Sequence, residues 1–72
     1  MASLEQVNKT VFETMKKKGH TDLDIFFYLR TYKLMIPMIV DFTVEKNPDI
    51  SVQDLASVVV TDLLSLPLVE GA

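Results

Sequence analysis

The segment from Asp22 to Lys46 reads DLDIFFYLRTYKLMIPMIVDFTVEK, and it decides the fold of the chain. When its residues are placed at about 100° steps, one set of mostly apolar side chains forms a seam with alternating spacings of four and three. This spacing is typical of helices that pack side by side. The seam consists of Ile25, Leu29, Tyr32, Ile36, Ile39 and Thr43. We therefore predict a long central helix over about residues 22–46, with this seam in the core.

A second apolar band lies on the far side of the same predicted helix. Its members are Leu23, Phe27, Leu34, Met38 and Phe42. A helix that is apolar on two faces must be covered on both, and two short neighbouring helices cover the second face only in part. In the alternative arrangement, the two neighbours wrap the central helix and leave nothing exposed. Aromatic residues and methionine are enriched where proteins meet, and the predicted interface consists of Phe26, Phe27, Leu34, Met35, Met38 and Phe42.

Pro37 interrupts the central segment in its interior. Proline has no amide hydrogen, and its ring crowds the carbonyl of the residue four positions earlier. The sequence therefore predicts a kink near residues 33–36 or a split into two helices. We favour the kink, because the apolar periodicity continues across the proline.

Helix-start signals mark all three predicted helices. Ser3-Leu4-Glu5-Gln6 has the form of a capping box, and Thr21 and Ser51 are candidate N-caps. Gly19 follows three lysines, as expected just after a helix end. We predict one all-α domain over residues 1–72, a three-helix unit with helices at about 3–18, 22–46 and 51–66 and a tail at 67–72.

The composition favours self-association. Hydrophobic residues make up 49% of 72 residues, more than a bundle of this size can turn inward. Small domains commonly gain stability from disulfides, a metal or oligomerisation, but the chain has no cysteine and one histidine. We expect an oligomer, with a dimer favoured.

The residue pattern does not point to catalysis. His20 follows the helix-ending glycine, where an exposed turn residue is expected, and no serine is paired with a suitable base. We expect no enzyme activity, no cofactor and no metal site. A net charge of −3 makes nucleic acid an unfavourable partner. Without a secretory signal or a transmembrane segment, the expected location is the cytoplasm.

The leading functional hypothesis is a non-enzymatic protein-interaction module: a self-associating adaptor, inhibitor or regulatory subunit acting on a larger protein. The alternative is a binder of a small anionic ligand, such as a nucleotide, or of nucleic acid. In this alternative, the positive charges that bind the ligand come from Lys16–Lys18, Arg30 and Lys33. Aromatic rings close to them in sequence could stack on a planar ligand, which makes the candidate ligand-binding residues Tyr28, Arg30, Tyr32 and Lys33.

Two short stretches resemble known families. A short, a long and a short helix followed by Ile50-Ser51-Val52-Gln53-Asp54-Leu55 and Val58-Val59 resembles the end of a histone fold. The order Ile36-Pro37, helix, Asn47-Pro48-Asp49, helix with Leu55-Ala56 is similar to the dimerisation and docking domains of kinase regulatory subunits. Neither resemblance assigns the chain to a family, but both imply a fold that is stabilised by dimerisation.

Overall fold

The structure is a computed structural model, and it describes residues 3–66. Over this range the chain forms four α-helices: α1 (Leu4–Lys17), α2 (Asp22–Thr31), α3 (Met35–Lys46) and α4 (Val52–Ser65). The predicted all-α class is confirmed. The tail predicted for residues 67–72 lies outside the described residues.

The starts of α1, α2 and α4 follow the predicted capping chemistry. The side-chain oxygens of Ser3, Thr21 and Ser51 each accept a hydrogen bond from the backbone amide three residues later, at 3.2, 3.2 and 3.1 Å. Such bonds satisfy one of the amides that the first helical turn leaves without an intrahelical partner. Three of the four helix starts were therefore visible in the sequence.

The end of α1 is a glycine-terminated turn. Gly19 has φ of +95°, a left-handed conformation that favours glycine. The Gly19 amide donates to the Lys16 carbonyl at 3.0 Å, and the His20 amide donates to the Met15 carbonyl at 3.2 Å. This pair of bonds is the Schellman motif. It turns the chain sharply from α1 into α2.

The prediction of one long, kinked central helix is wrong: residues 22–46 form two helices, α2 and α3, separated by a turn at 32–34. Tyr32 leaves helical geometry with φ −108° and ψ 25°. Pro37 thereby becomes the third residue of α3, where a backbone amide would have no intrahelical partner in any case. The split, which was the less favoured alternative, removes the cost of proline inside a continuous helix.

The core lies mainly between α1 and α4, which make the most extensive contact between any two helices of the described chain. Helices α2 and α3 contribute one buried residue each, Ile25 and Ile36. The other buried residues are Val7, Val11 and Met15 of α1 and Leu55, Ala56, Val59, Val60 and Leu63 of α4. The predicted seam does face this core, because Leu29, Tyr32 and Ile39 pack against it as half-buried side chains.

Because α1 and α4 pack on each other, they do not enclose the middle segment from both sides. The far side of α2 and α3 therefore has no helix over it within residues 3–66. Among the described helices, none combines the length and the apolar character needed to cross a bilayer.

Candidate functional site

Large apolar side chains are exposed along α2, the following turn and α3. All six residues of the predicted interface belong to this exposed set. Leu34 in the turn is 82% exposed, Met38 in α3 is 69% exposed and Phe26 in α2 is 62% exposed. Phe27, Met35 and Phe42 are exposed as well. Large apolar side chains exposed in this number usually mark sites where a protein meets a partner.

The first groove in this surface lies between the start of α1 and the α2–α3 turn, and we call it the basic groove. Its charged residues are Arg30 and Lys33, and its volume is about 530 Å³. Phe26 is held at its wall, since its ring meets the Phe12 ring edge-on at a centroid distance of 6.0 Å. The full lining is Leu4, Asn8, Phe26, Leu29, Arg30, Lys33, Leu34, Ile36 and Pro37.

A second groove lies between α3, the start of α1 and the start of α4, and we call it the acidic groove. Its charged residues are Asp41 and Glu45, and its volume is about 480 Å³. Apolar side chains form most of its walls. The full lining is Leu4, Pro37, Val40, Asp41, Val44, Glu45, Pro48, Ile50 and Leu55.

The acidic and basic grooves join into one surface, because Leu4 and Pro37 line both of them. Leu4 is 43% exposed, although Val7, Val11 and Met15, which follow it at helical spacing, are completely buried. We call the combined area the two-groove surface, and we call the part of it that Leu4 and Pro37 line its junction. It presents cations on one side of the junction, anions on the other, and apolar side chains throughout.

A third groove, the methionine groove, follows the opposite side of α3. It is lined by Met35, Met38, Ile39, Phe42, Thr43 and Asp62. Helical spacing places Met35, Ile39 and Phe42 away from Pro37 and Val44, whereas Met38 lies seven residues before Glu45 and borders that carboxylate. The Lys46 ammonium lies 4.3 Å from the centre of the Phe42 ring, a cation–π contact that covers part of an otherwise exposed aromatic.

The four residues of the alternative ligand site are divided between two places. Tyr28 and Tyr32 stack at a centroid distance of 6.3 Å and pack against the core. Arg30 and Lys33 line the basic groove, and neither tyrosine takes part in that lining. The structure thus brings the two cations together but does not bring both rings beside them.

The α1–α2 connection explains the positions of the lysine run (Lys16–Lys18) and of His20. The Lys16 ammonium lies 3.0 Å from the Asp22 carboxylate, and both side chains are exposed. Lys16 and Lys17 occupy the last turn of α1, where the helix dipole favours cations. The His20 ring meets the Tyr28 ring edge-on at 6.5 Å. Within residues 3–66, no three His, Cys, Asp or Glu side chains lie close enough together to hold a metal ion.

Sequence reasoning missed the acidic groove. None of its α3 residues Val40, Asp41, Val44 and Glu45 was assigned to a predicted surface. Their spacing of four places each pair on one helical face, which was a usable signal. That Leu4 and Pro37 line the same grooves could not be predicted from the local sequence, because it depends on how α1 and α3 are arranged.

Fold and surface together define the chain as a small all-helical protein with a broad apolar surface bordered by charges. The chain matches no protein-family model, and comparison with curated proteins and with solved structures finds no significant match.

Proposed function

We propose that the protein is a non-enzymatic interaction module that associates with itself and acts as an adaptor, inhibitor or regulatory subunit on a larger protein. One observation carries the proposal: the large apolar residues of α2, α3 and their connecting turn are exposed rather than packed between α1 and α4. Exposed apolar area of this extent is costly in water, and covering it with another protein chain recovers the hydrophobic free energy.

The side chains on this surface suit protein recognition. Phenylalanine, methionine and leucine can fill irregular partner surfaces, and methionine in particular adapts to different shapes. Exposed charged residues line the grooves, and none of the described charged residues is buried in the core. An apolar centre with a charged rim is the usual anatomy of a protein–protein interface.

The surface is also divided in a way that supports more than one partner. The two-groove surface and the methionine groove lie on opposite sides of α3. One can be occupied by a second copy while the other remains open to a larger protein. This arrangement suits an adaptor or regulatory subunit that is itself dimeric.

Sedimentation velocity of the purified protein at micromolar concentrations, combined with binding of a hydrophobic dye, tests the proposal. We expect an average mass above that of one chain, and dye fluorescence per chain that falls as association increases. A compact monomer that binds no dye at any concentration contradicts the proposal, because such a protein offers no apolar surface to a partner.

A further inference from the structure

The charges of the two-groove surface are arranged so that the surface is complementary to itself. Arg30 and Lys33 lie on one side of the junction, and Asp41 and Glu45 lie on the other. Because the two grooves share Leu4 and Pro37, a half-turn about an axis in the interface through the junction sets the basic half of one copy against the acidic half of the other.

We infer that the two-groove surface binds the same surface of a second copy of this chain, related by a two-fold axis through the junction. In this dimer, Arg30 and Lys33 of each copy lie over Asp41 and Glu45 of the other. An interface of this type is isologous: each contact occurs twice, and the patch must complement itself. The inference rests on the proposed function, since it identifies the partner that covers one of the exposed surfaces.

The apolar side chains of the two halves also complement each other in this dimer. The basic half carries the most exposed apolar side chain, Leu34, and the exposed ring of Phe26. The acidic half is a hollow whose apolar walls include the half-buried Val40, Val44 and Ile50. The same half-turn places Leu34 and Phe26 of one copy against the hollow of the other.

The distribution of net charge removes the main obstacle to pairing two identical acidic chains. The two-groove surface holds two cations and two anions, so the net charge of −3 resides on the rest of the chain. Two copies therefore meet at a patch without net charge, with opposite charges aligned. A partner of one uniform charge would be attracted by one half and repelled by the other.

Paired charge reversals test the inference directly. Arg30→Glu/Lys33→Glu makes both halves acidic, and Asp41→Lys/Glu45→Lys makes both halves basic. Each variant alone juxtaposes like charges across the two-fold axis, and we expect its dimer to dissociate at least about tenfold more readily than the wild type. Sedimentation equilibrium measures the change, and circular dichroism checks that each variant keeps its helices.

The decisive experiment mixes the two charge-reversal variants in equal amounts. The all-acidic surface now meets an all-basic one, so we expect a dimer of mixed composition at concentrations where neither variant dimerises alone. The matched control is Lys9→Glu/Lys17→Glu, which changes the net charge as much as the first variant. Lys9 and Lys17 are exposed residues of α1 that line neither groove. We expect this control to dimerise like the wild type.

Three results would overturn the inference. A wild type that stays monomeric while still binding hydrophobic dye would assign the surface to a different partner; the proposed interaction module would then stand without its self-association. If both charge variants dimerise as tightly as the wild type, the self-contact lies elsewhere on the molecule. Variants that dissociate but do not recombine on mixing would show that the opposite charges do not face each other.

Discussion

Leu4 of α1 and Pro37 of α3 each line both the acidic and the basic groove, so the two grooves meet at these residues. Leu4 belongs to the first turn of α1, and Pro37 belongs to the first turn of α3. These two shared residues make one continuous surface of two grooves that would otherwise be separate. The continuity of this surface supports the dimer inferred above.

Leucine-to-alanine substitutions should separate core from surface. Leu63 is completely buried, and Leu63→Ala should lower the free energy of unfolding by about 2–5 kcal/mol, because it removes packing and leaves a cavity. Leu34 is 82% exposed, and Leu34→Ala should change the same free energy by less than about 0.5 kcal/mol at concentrations that keep the chain monomeric. Urea denaturation of both variants measures the difference. Equal losses would mean that Leu34 is packed inside the protomer.

Methionine oxidation should report on the exposed surface. Met38 and Met35 are exposed, whereas Met15 is completely buried. Limited treatment with peroxide should oxidise Met38 first, Met35 next and Met15 last, since sulfoxide formation requires access to the sulfur. Peptide mass spectrometry follows each site separately. Oxidation of Met15 at the rate of Met38 would contradict the described core. A protein that occupies the methionine groove should slow oxidation at Met38 and leave Met15 unchanged.

The cap of α4 should contribute measurably to stability. The Ser51 hydroxyl accepts the Asp54 amide at 3.1 Å, and Ser51→Ala should cost about 1 kcal/mol of unfolding free energy. Ser57 is an exposed residue inside α4, and Ser57→Ala serves as the matched control. The control should be neutral or slightly stabilising, because alanine has the highest helix propensity. Thermal or urea unfolding compares the two, and a larger loss at Ser57 would be inconsistent with the capping bond.

Pro37 should be the cause of the break between α2 and α3. Pro37→Ala restores an amide that can donate to the Lys33 carbonyl, so we expect the turn at 32–34 to become more helical. Far-ultraviolet circular dichroism should show helix content increased by about one turn. The same change reorients the basic half relative to the acidic half, and self-association should weaken. Unchanged helix content and unchanged association would assign the break to another residue.

Much of the local structure could be predicted from the sequence. Ser3, Thr21, Ser51 and Gly19 act through bonds to backbone only a few residues away, and the structure shows each in its expected role. The division of the middle segment into an inward seam and an outward band also followed from helical spacing. These features depend on local geometry, so the local sequence contains them.

The arrangement of the helices could not be predicted in the same way. Periodicity identifies which face of a helix is apolar but not which other helix covers it. The two short helices were expected to cover the central segment, yet α1 packs chiefly against α4. Pro37 offered two solutions, and the continued apolar pattern favoured the wrong one. The turn before it moves the proline to a position where its missing amide has no cost.

Comparing the molar masses of the wild type and Leu34→Asp tests the central claim most directly. Sedimentation equilibrium is carried out at matched micromolar concentrations, with circular dichroism to confirm that helix content is equal. We predict a dimer for the wild type and a monomer for Leu34→Asp, because a carboxylate replaces the most exposed apolar side chain of the surface. Equal masses for the two proteins, whether both monomeric or both dimeric, would contradict the account.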